Sequence, residues 1–141
     1  MTTPAQNIVS QKTALQIVHS YNEPFLSLTA LYTRALRAAG WRVITVYLSG
    51  QEDSRMTALS QADSVLYLAA SNSQLRGLKL GLVRKVRQII QQHHVSLIIG
   101  QRYKAMYIAL LASLLTTLPV IGVGHAFGVL DSTWRQRMLT L

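Results

Sequence analysis

The 141-residue chain is long enough to bury the core of one domain, and with 50% hydrophobic and 13% charged residues it is not a disordered protein. It contains no cysteine, which excludes disulfides, thiol nucleophiles and cysteine-based zinc; its four histidines are too scattered to predict a metal site, and no cofactor is predicted. The 14 lysines and arginines against 5 acidic residues give a formal net charge of +9, which argues against a mechanism that needs several carboxylates.

The hydropathy of the chain predicts neither a signal peptide nor a membrane span. Residues 1–13 are polar and predict a flexible leader before a single domain over residues 14–141. The most apolar stretch, residues 105–123, is interrupted by Pro119 and Gly122. Because a bilayer span needs about 20 apolar residues, this stretch is interpreted as a buried helix followed by a buried strand.

Short apolar runs alternate with longer amphipathic segments. The apolar runs predict strands at residues 14–19, 41–48, 64–69, 95–99 and 119–123. Helical periodicity predicts helices at residues 25–39, 73–93 and 104–115, a helical turn around residues 56–59, and a last helix from Asp131 or Ser132 to Met138. The apolar stripe of the longest predicted helix consists of Leu75, Leu78, Leu82, Val86, Ile89 and Ile90.

Apolar strands separated by helices predict a parallel sheet that is covered on both faces. The right-handed crossover rule then gives an α/β, Rossmann-like three-layer sandwich with five or more strands. The residues expected to be buried in these strands are Ile17, Ile44, Leu66, Ile98 and Ile121. In such sheets ligands bind beyond the carboxyl ends of the strands. The loops that follow the strands are therefore candidates, at residues 20–23, 49–53, 70–73, 100–104 and 124–128.

The loop after the first predicted strand holds Ser20, Tyr21, Asn22 and Glu23 directly before a helix. Polar side chains and the N–H groups of a helix start suit an anionic or hydroxyl-rich ligand, and the same residues also fit an ordinary turn. This loop lacks GxGxxG, which disfavours NAD binding through that motif. No GxxxxGK followed by Ser or Thr occurs in the chain, which excludes a P-loop.

The loop after the fourth predicted strand contains Gln101, Arg102 and Lys104 around Tyr103. Two cations beside an aromatic ring suit a phosphorylated or glycan ligand. The same residues also fit a solvated surface turn. We therefore keep Gln101, Arg102 and Lys104 as candidate substrate-binding residues.

The loop after the fifth predicted strand places His125 among glycines, next to Gly124 and close to Phe127. Glycines permit close backbone approach, and an imidazole there suits a hydrogen bond to a sugar hydroxyl or phosphate, or proton transfer. The alternative is a structural histidine bonded to a nearby carbonyl. His125 is the candidate catalytic residue, with Gly124 and Phe127 as candidate binding residues.

The positive charge admits three functional interpretations besides a solvated helix surface. It suits steering of anionic substrates, contact of the basic amphipathic helix around Arg76 and Arg87 with an anionic membrane, or nucleic-acid binding. Nucleic acid ranks below the membrane because the basic residues lack interleaved exposed aromatics and no nucleic-acid motif is found.

The order of these segments resembles the N-terminal domain of GT-B glycosyltransferases, in particular the glycosyltransferase family 4-like N-terminal group. The resemblance covers residues 15–138. It is carried by LQIVHS, LTALYTRALRAAG followed by WRVITVYL, LVRKVRQIIQQHHVSLIIGQ, AMYIALLASLLTTLP and VIGVGHAFG. Its most specific feature is a strand that leads to a histidine and follows an apolar helix ending in Leu-Pro.

The resemblance implies a two-domain enzyme in which this domain binds the acceptor and a C-terminal domain holds most of the nucleotide-sugar site. His125 matches the family's histidine that reaches toward the donor sugar. Residues 20–23 match the first loop of the cleft, although Tyr21 and Asn22 stand where relatives often have two glycines.

The implied function is the acceptor side of sugar transfer from a nucleotide-sugar donor to a cell-surface glycan or lipid-linked acceptor. This corresponds to lipopolysaccharide or polysaccharide biosynthesis, in the cytoplasm and peripheral to the inner membrane face. The chain stops after one Rossmann unit, so we expect it to be inactive alone. The alternatives are a non-catalytic Rossmann-like binding or partner module and a basic nucleic-acid-binding domain.

Overall fold

The structure, a computed structural model, describes residues 11–22, 25–114 and 116–124. In this part of the chain five strands alternate with four helices. The strands are β1 (Thr13–Val18), β2 (Arg42–Tyr47), β3 (Ser64–Tyr67), β4 (Val95–Gln101) and β5 (Val120–Val123). The helices are α1 (Phe25–Ala38), α2 (Ser54–Ser60), α3 (Leu80–Gln92) and α4 (Arg102–Ser113).

The five strands form one parallel sheet in the order β3-β2-β1-β4-β5. The chain builds outward from β1 through β2 to β3, and then crosses back to add β4 and β5 on the other side of β1. The predicted Rossmann-like α/β fold is therefore confirmed. The change of direction places a topological switch point between β1 and β4.

The apolar core lies between the sheet and the helices α3 and α4. Alternate residues of β1, Leu15 and Ile17, point into it, because successive side chains of a strand face opposite sides of a sheet. Other fully or nearly fully buried members of this core are Ile44, Val46, Leu82, Val86, Ile98 and Ile108. Burying side chains of this size contributes about 1.5–3 kcal/mol each, so this face supplies most of the stability.

The opposite face of β1 carries a polar network beneath α1. Gln16 Nε2 donates to Thr33 Oγ1 at 3.0 Å and lies 3.4 Å from both the Thr29 carbonyl and Thr45 Oγ1. Gln16 Oε1 accepts a hydrogen bond from Gln101 Nε2, across the β1–β4 boundary. All five residues are fully buried. The network therefore joins β1, β2, β4 and α1 at the switch point.

Helix α3 begins at Leu80, seven residues later than predicted from the start at residue 73. Residues 71–79 form turns instead. Lys79 has φ +55°, a left-handed conformation that is incompatible with a right-handed helix, so α3 cannot start earlier. Leu75 is still buried, but Leu78 is 60% exposed, so its predicted place in the apolar stripe is wrong. The hydrophobic periodicity of the sequence does not reveal that the helix is interrupted before Leu80, because Leu75 and Leu78 keep the spacing of a helix.

The two edge strands are less buried than predicted. Ile17, Ile44 and Ile98 are buried as expected, whereas Leu66 is partly exposed and Ile121 is 49% exposed. In the described sheet β3 and β5 each pair with a single neighbour, so fewer side chains cover them. The predicted burial of Leu66 and Ile121 is therefore wrong.

The passage from β4 into α4 is tighter than predicted. The strand continues to Gln101 and the helix starts at Arg102, without an intervening loop. A Cβ atom on Gly100 would lie 2.8 Å from Met106 Cα, so only glycine allows the helix to lie this close to the strand end. Gln101, Arg102 and Lys104, which were predicted to lie in a loop, therefore lie on β4 and α4.

We expect Gln16→Leu to lower the free energy of unfolding by about 2–4 kcal/mol, because Gln101, Thr33 and Thr45 lose a buried partner and an unsatisfied buried group costs about 1–3 kcal/mol. Replacing Gln101 as well removes the amide that loses its hydrogen bond to Gln16. The double variant Gln16→Leu/Gln101→Leu should therefore lose about 1 kcal/mol less than the sum of the single variants. Urea denaturation measures this, with the exposed Gln91→Leu as control. Strictly additive losses would contradict the coupling.

Candidate functional site

At the carboxyl edge of the sheet, the connections that follow β1 and β4 lead to opposite faces of the sheet, and we call the space between them the crevice. Ile17 of β1 pairs with Gly100 of β4, so His19 and Arg102, each two residues further on, leave the sheet side by side. From there α1 covers one face of the sheet and α4 the other, so the two connections diverge. In open parallel sheets ligands bind at such a switch point.

Four basic side chains meet at this crevice, and we call them the cationic cluster: His19, Lys79, Arg102 and Lys104. Arg102 and Lys104 open α4, while Lys79 directly precedes α3. Burial lowers the pKa of His19 most, and the charges of Lys104 and Arg102 lower it further. Burial and then the charge of Lys104 also lower the pKa of Lys79. The end of β1 and the start of α3, which are remote in sequence, thus each lie within electrostatic range of the start of α4.

One ring nitrogen of His19, Nδ1, is buried and has no hydrogen-bond partner among the described residues. The backbone carbonyl of His19 is held firmly, because it accepts from Ser49 N at 2.9 Å and from Ser49 Oγ at 3.0 Å. With its pKa lowered, the imidazole is mainly neutral at pH 7. A positioned neutral imidazole with an unused nitrogen can donate or accept one hydrogen bond to a ligand.

Aromatic rings position two of the cations without neutralising them. The guanidinium carbon of Arg102 lies 4.4 Å from the ring centroid of Phe25, the first residue of α1. Lys79 Nζ lies 4.6 Å from the ring centroid of Tyr107 and donates to the Gly77 carbonyl at 3.0 Å. A cation over a ring keeps its full charge. Arg102 therefore reaches the α1 side of the crevice, whereas Lys79 stays on the α4 side.

Both of these cations also have a left-handed backbone, with φ +70° at Arg102 and +55° at Lys79. Such conformations are costly for residues other than glycine, by about 1–3 kcal/mol each. They persist where the surroundings dictate them, and they recur at ligand sites. Here the two left-handed residues are the ones whose side chains lie on opposite sides of the crevice.

Two of the three described acidic residues have structural roles, and the third, Glu52, is exposed in the loop after β2. Asp53 caps α2 by accepting from two backbone N–H groups, and Asp63 pairs with Arg37 at 3.3 Å and accepts from Val43 N. Between residues 11–22, 25–114 and 116–124, no carboxylate pairs with the cationic cluster. The same part of the chain holds no group of three or more His, Cys, Asp or Glu side chains that would hold a metal ion.

In the predicted loop after β1, some residues make structural contacts and others lie next to the cationic cluster. Tyr21 turns toward β2: its ring lies against Gly50, where a Cβ atom would come within 2.7 Å, and its hydroxyl donates to the Gln51 carbonyl at 3.2 Å. The Asn22 carbonyl accepts from the first N–H groups of α1, and its side chain is exposed. Ser20 is partly exposed beside His19. Glu23 lies outside the described residues.

The other predicted residues are similarly divided. Arg102 and Lys104 lie in the cationic cluster, whereas Gln101 is buried and its amide bonds Gln16. Gly124 is exposed after β5. His125 and Phe127 lie outside the described residues, and their roles remain predictions.

Two members of the cluster, His19 and Lys79, were not among the predicted site residues. A signal for His19 was present, since it ends an apolar run at the carboxyl end of a predicted strand. No local signal pointed to Lys79, because the apolar spacing around it continues through the break before α3.

Comparisons with known proteins place the fold but not a family. No family model matches the chain, and no curated protein matches it. Among solved structures it is similar to a glycosyltransferase from Rickettsia africae ESF-5, with 17% sequence identity and a TM-score of 0.57. That match covers 80% of this chain and 29% of the glycosyltransferase. A universal stress protein from Archaeoglobus fulgidus is similar at 12% identity and a TM-score of 0.46, over 79% of this chain and 93% of that protein.

The first match shows a distant glycosyltransferase-like, Rossmann-like fold. The chain spans less than a third of the length of that glycosyltransferase. At this identity the likeness concerns the fold alone.

We expect the stability of the folded chain to fall as the pH drops below 6.5, the ordinary pKa of histidine. Because the pKa of His19 is lowered in the folded state, the unfolded chain binds the proton more readily, and protonation favours unfolding. Urea denaturation between about pH 5 and 8 measures this. The stability of the wild type relative to His19→Gln should decrease toward low pH, while the exposed Gln91→Leu variant follows the wild type. Parallel curves for wild type and His19→Gln would contradict the assignment.

Proposed function

We propose that this chain is the acceptor-binding, N-terminal half of a two-domain GT-B glycosyltransferase. In this proposal the acceptor, a cell-surface glycan or lipid-linked sugar, lies at the carboxyl edge of the sheet. The observation that carries it is the cationic cluster at the switch point, where His19 presents an unused buried nitrogen. The order of sequence segments and the glycosyltransferase-like fold support the same assignment.

The residues of the crevice have distinct tasks in this proposal. Arg102, Lys104 and Lys79 attract and orient an acceptor that carries negative charge. His19 gives one directed hydrogen bond. The fixed backbone at Ser49 and the α4 start keep these groups in place, and a preformed site loses less entropy on binding.

The donor half is a second Rossmann unit, supplied by another domain or chain. Transfer requires the acceptor oxygen and the donor sugar carbon in one oriented site. His125, next to the end of β5, is the residue proposed to face the donor sugar across the cleft, as the resemblance implies.

We expect the 141-residue chain to bind an acceptor but to transfer no sugar by itself. NMR titration of the 15N-labelled chain with acceptor glycans should shift the amides of residues 19–22, 79–80 and 101–105, and assays with nucleotide sugars should show no turnover. The variant Arg102→Gln/Lys104→Gln should lose about tenfold or more in affinity, as two charged hydrogen-bond donors disappear. Arg34→Gln/Arg55→Gln removes the same charge at exposed positions and is the control.

Turnover of a nucleotide sugar by this chain alone would contradict the division into two halves. Acceptor-induced shifts confined to residues away from the carboxyl edge would contradict the assignment of the site.

We also propose that the start of α3 contacts an anionic membrane surface. Leu78 and Leu80 are 60% and 65% exposed, an unusual arrangement for adjacent large apolar side chains. Arg84 lies one turn after Leu80 on the same exposed side of α3, with Lys85 beside it. Exposed leucines next to cations fit an anionic lipid interface. None of the described helices is long and apolar enough to cross a membrane.

Arg87 is not part of this proposed surface, although it lies in the basic helix considered from the sequence. Its Nε atom lies 3.4 Å from the carbonyl of Ala112, and one guanidinium nitrogen donates to that of Leu114 at 2.9 Å. Arg87 therefore ties α3 to the end of α4. The proposed surface consists of Leu78, Leu80, Arg84 and Lys85.

We expect the chain to co-sediment with phosphatidylglycerol vesicles at low salt and to bind less as salt rises. A basic residue near an anionic surface contributes about 1 kcal/mol, so Arg84→Gln/Lys85→Gln should weaken binding about 30-fold. Leu78→Ser/Leu80→Ser should weaken it as well. Arg34→Gln/Arg55→Gln, on the opposite face of the sheet, should bind like the wild type. Equal binding to phosphatidylcholine vesicles at low salt would contradict the proposal.

A further inference from the structure

We infer that the cationic cluster is a phosphoryl-binding site, in which Lys79, Arg102, Lys104 and His19 together hold a phosphate or diphosphate group. The inference specifies the ligand chemistry of the site described above, and it rests on the proposed function only in treating that group as part of a transferase substrate. The sequence pattern suggested a phosphorylated or glycan ligand for Arg102 and Lys104 alone, and the structure adds Lys79 and His19 to them.

The first argument is the convergence of like charge without a matching acid. Three positively charged side chains and one imidazole come from the end of β1, the start of α3 and the start of α4. In the described part of the chain no carboxylate pairs with them. Repulsion among these groups is present in the free protein, and a bound anion of high charge would relieve it.

The second argument concerns the kind of anion. All available groups on Arg102, Lys79 and Lys104 are hydrogen-bond donors. A phosphate monoester carries about −1.5 to −2 charges near pH 7 and offers three acceptor oxygens. A neutral sugar hydroxyl or a single carboxylate offers less charge and fewer acceptors. A phosphoryl group therefore matches the cluster best in both charge and hydrogen-bonding capacity.

The third argument is the orientation of the donors. Arg102 is held over the Phe25 ring at 4.4 Å and Lys79 over the Tyr107 ring at 4.6 Å, on the two sides of the crevice. His19 directly follows β1, within electrostatic range of Lys104 and Arg102, and its buried Nδ1 atom has no partner among the described residues. A phosphoryl group between the two cations would give that nitrogen an oxygen partner.

The test uses the whole chain and matched small ligands. Titration calorimetry and NMR compare pyrophosphate, glucose 6-phosphate and glucose. We expect both phosphorylated probes to bind and to shift amides at residues 19, 79, 102 and 104, and glucose to have no effect. Binding should raise the pKa of His19, which its imidazole NMR signals report, because an anion beside the ring favours the protonated form and counteracts the charges of Lys104 and Arg102.

Variants separate the site from general attraction to a basic protein. Lys104→Gln and Lys79→Gln should each weaken binding of glucose 6-phosphate about tenfold, whereas Arg34→Gln, with the same loss of charge at an exposed position of α1, should not. Thermal melts verify that each variant is folded. Equal weakening by Arg34→Gln, or a sulfate affinity equal to that of pyrophosphate, would overturn the inference.

A further arm distinguishes the source of the phosphoryl group. Tighter binding of glucose 6-phosphate than of UDP supports the inference with the acceptor as the source, and the reverse order supports it with the nucleotide donor as the source. A short DNA duplex that binds more tightly than either, with shifts at the same four residues, would overturn it in favour of a nucleic-acid backbone.

The outcomes also separate this inference from the proposed function. Glycan acceptors that bind at the carboxyl edge while phosphorylated probes do not would retain the function and overturn the phosphoryl site. Phosphorylated probes that bind while no acceptor glycan does would retain the site and contradict the function.

Discussion

The hydrogen bond between the buried amides of Gln16 and Gln101 connects β1 to β4 where the sheet changes direction. The remaining geometry of the crevice depends on it. Gln101 is the last residue of β4, and Arg102 begins α4 immediately afterwards. A displaced Gln101 would carry the start of α4 with it, together with the cations on its first turn.

The two faces of the sheet serve different purposes. The face under α3 and α4 is apolar and supplies most of the burial energy. The face under α1 contains Gln16 with Thr29, Thr33 and Thr45, whose hydrogen bonds are directional and allow few alternative arrangements. An apolar core tolerates small shifts between packed elements, whereas a satisfied polar network specifies one register. The relative positions of β1 and β4 at the proposed binding site are therefore specified by the polar network under α1.

The high net positive charge is distributed unevenly over the described residues, and this distribution underlies both the proposed phosphoryl site and the proposed membrane surface. Asp53 and Asp63 are used to cap a helix and to tie β2 to β3 and α1, on the side of the sheet away from β4. The positive charge at the β1–β4 boundary is left uncompensated among the described residues. Lys79 belongs to the cationic cluster, and its two sequence neighbours, Leu78 and Leu80, are exposed. The proposed phosphoryl site and the proposed membrane surface therefore adjoin at one residue, which suits a phosphorylated acceptor presented at a lipid interface.

The sequence by itself determined the architecture, because apolar runs and helical periodicity report which side of each segment is buried. Ile17, Ile44 and Ile98 follow from that pattern, as does the parallel order of strands and helices. Arg102 and Lys104 were also selected as candidates, since loops after strands are where this fold binds ligands, and the structure places both in the cationic cluster. Tertiary structure decided that Gln101 is buried and bonds Gln16, and that Leu78 is exposed. It also decided that His19 and Lys79 join Arg102 and Lys104 in the cationic cluster. The physical reason is that periodicity records what a segment buries locally, whereas electrostatic proximity and hydrogen-bond pairing depend on distances between segments far apart along the chain.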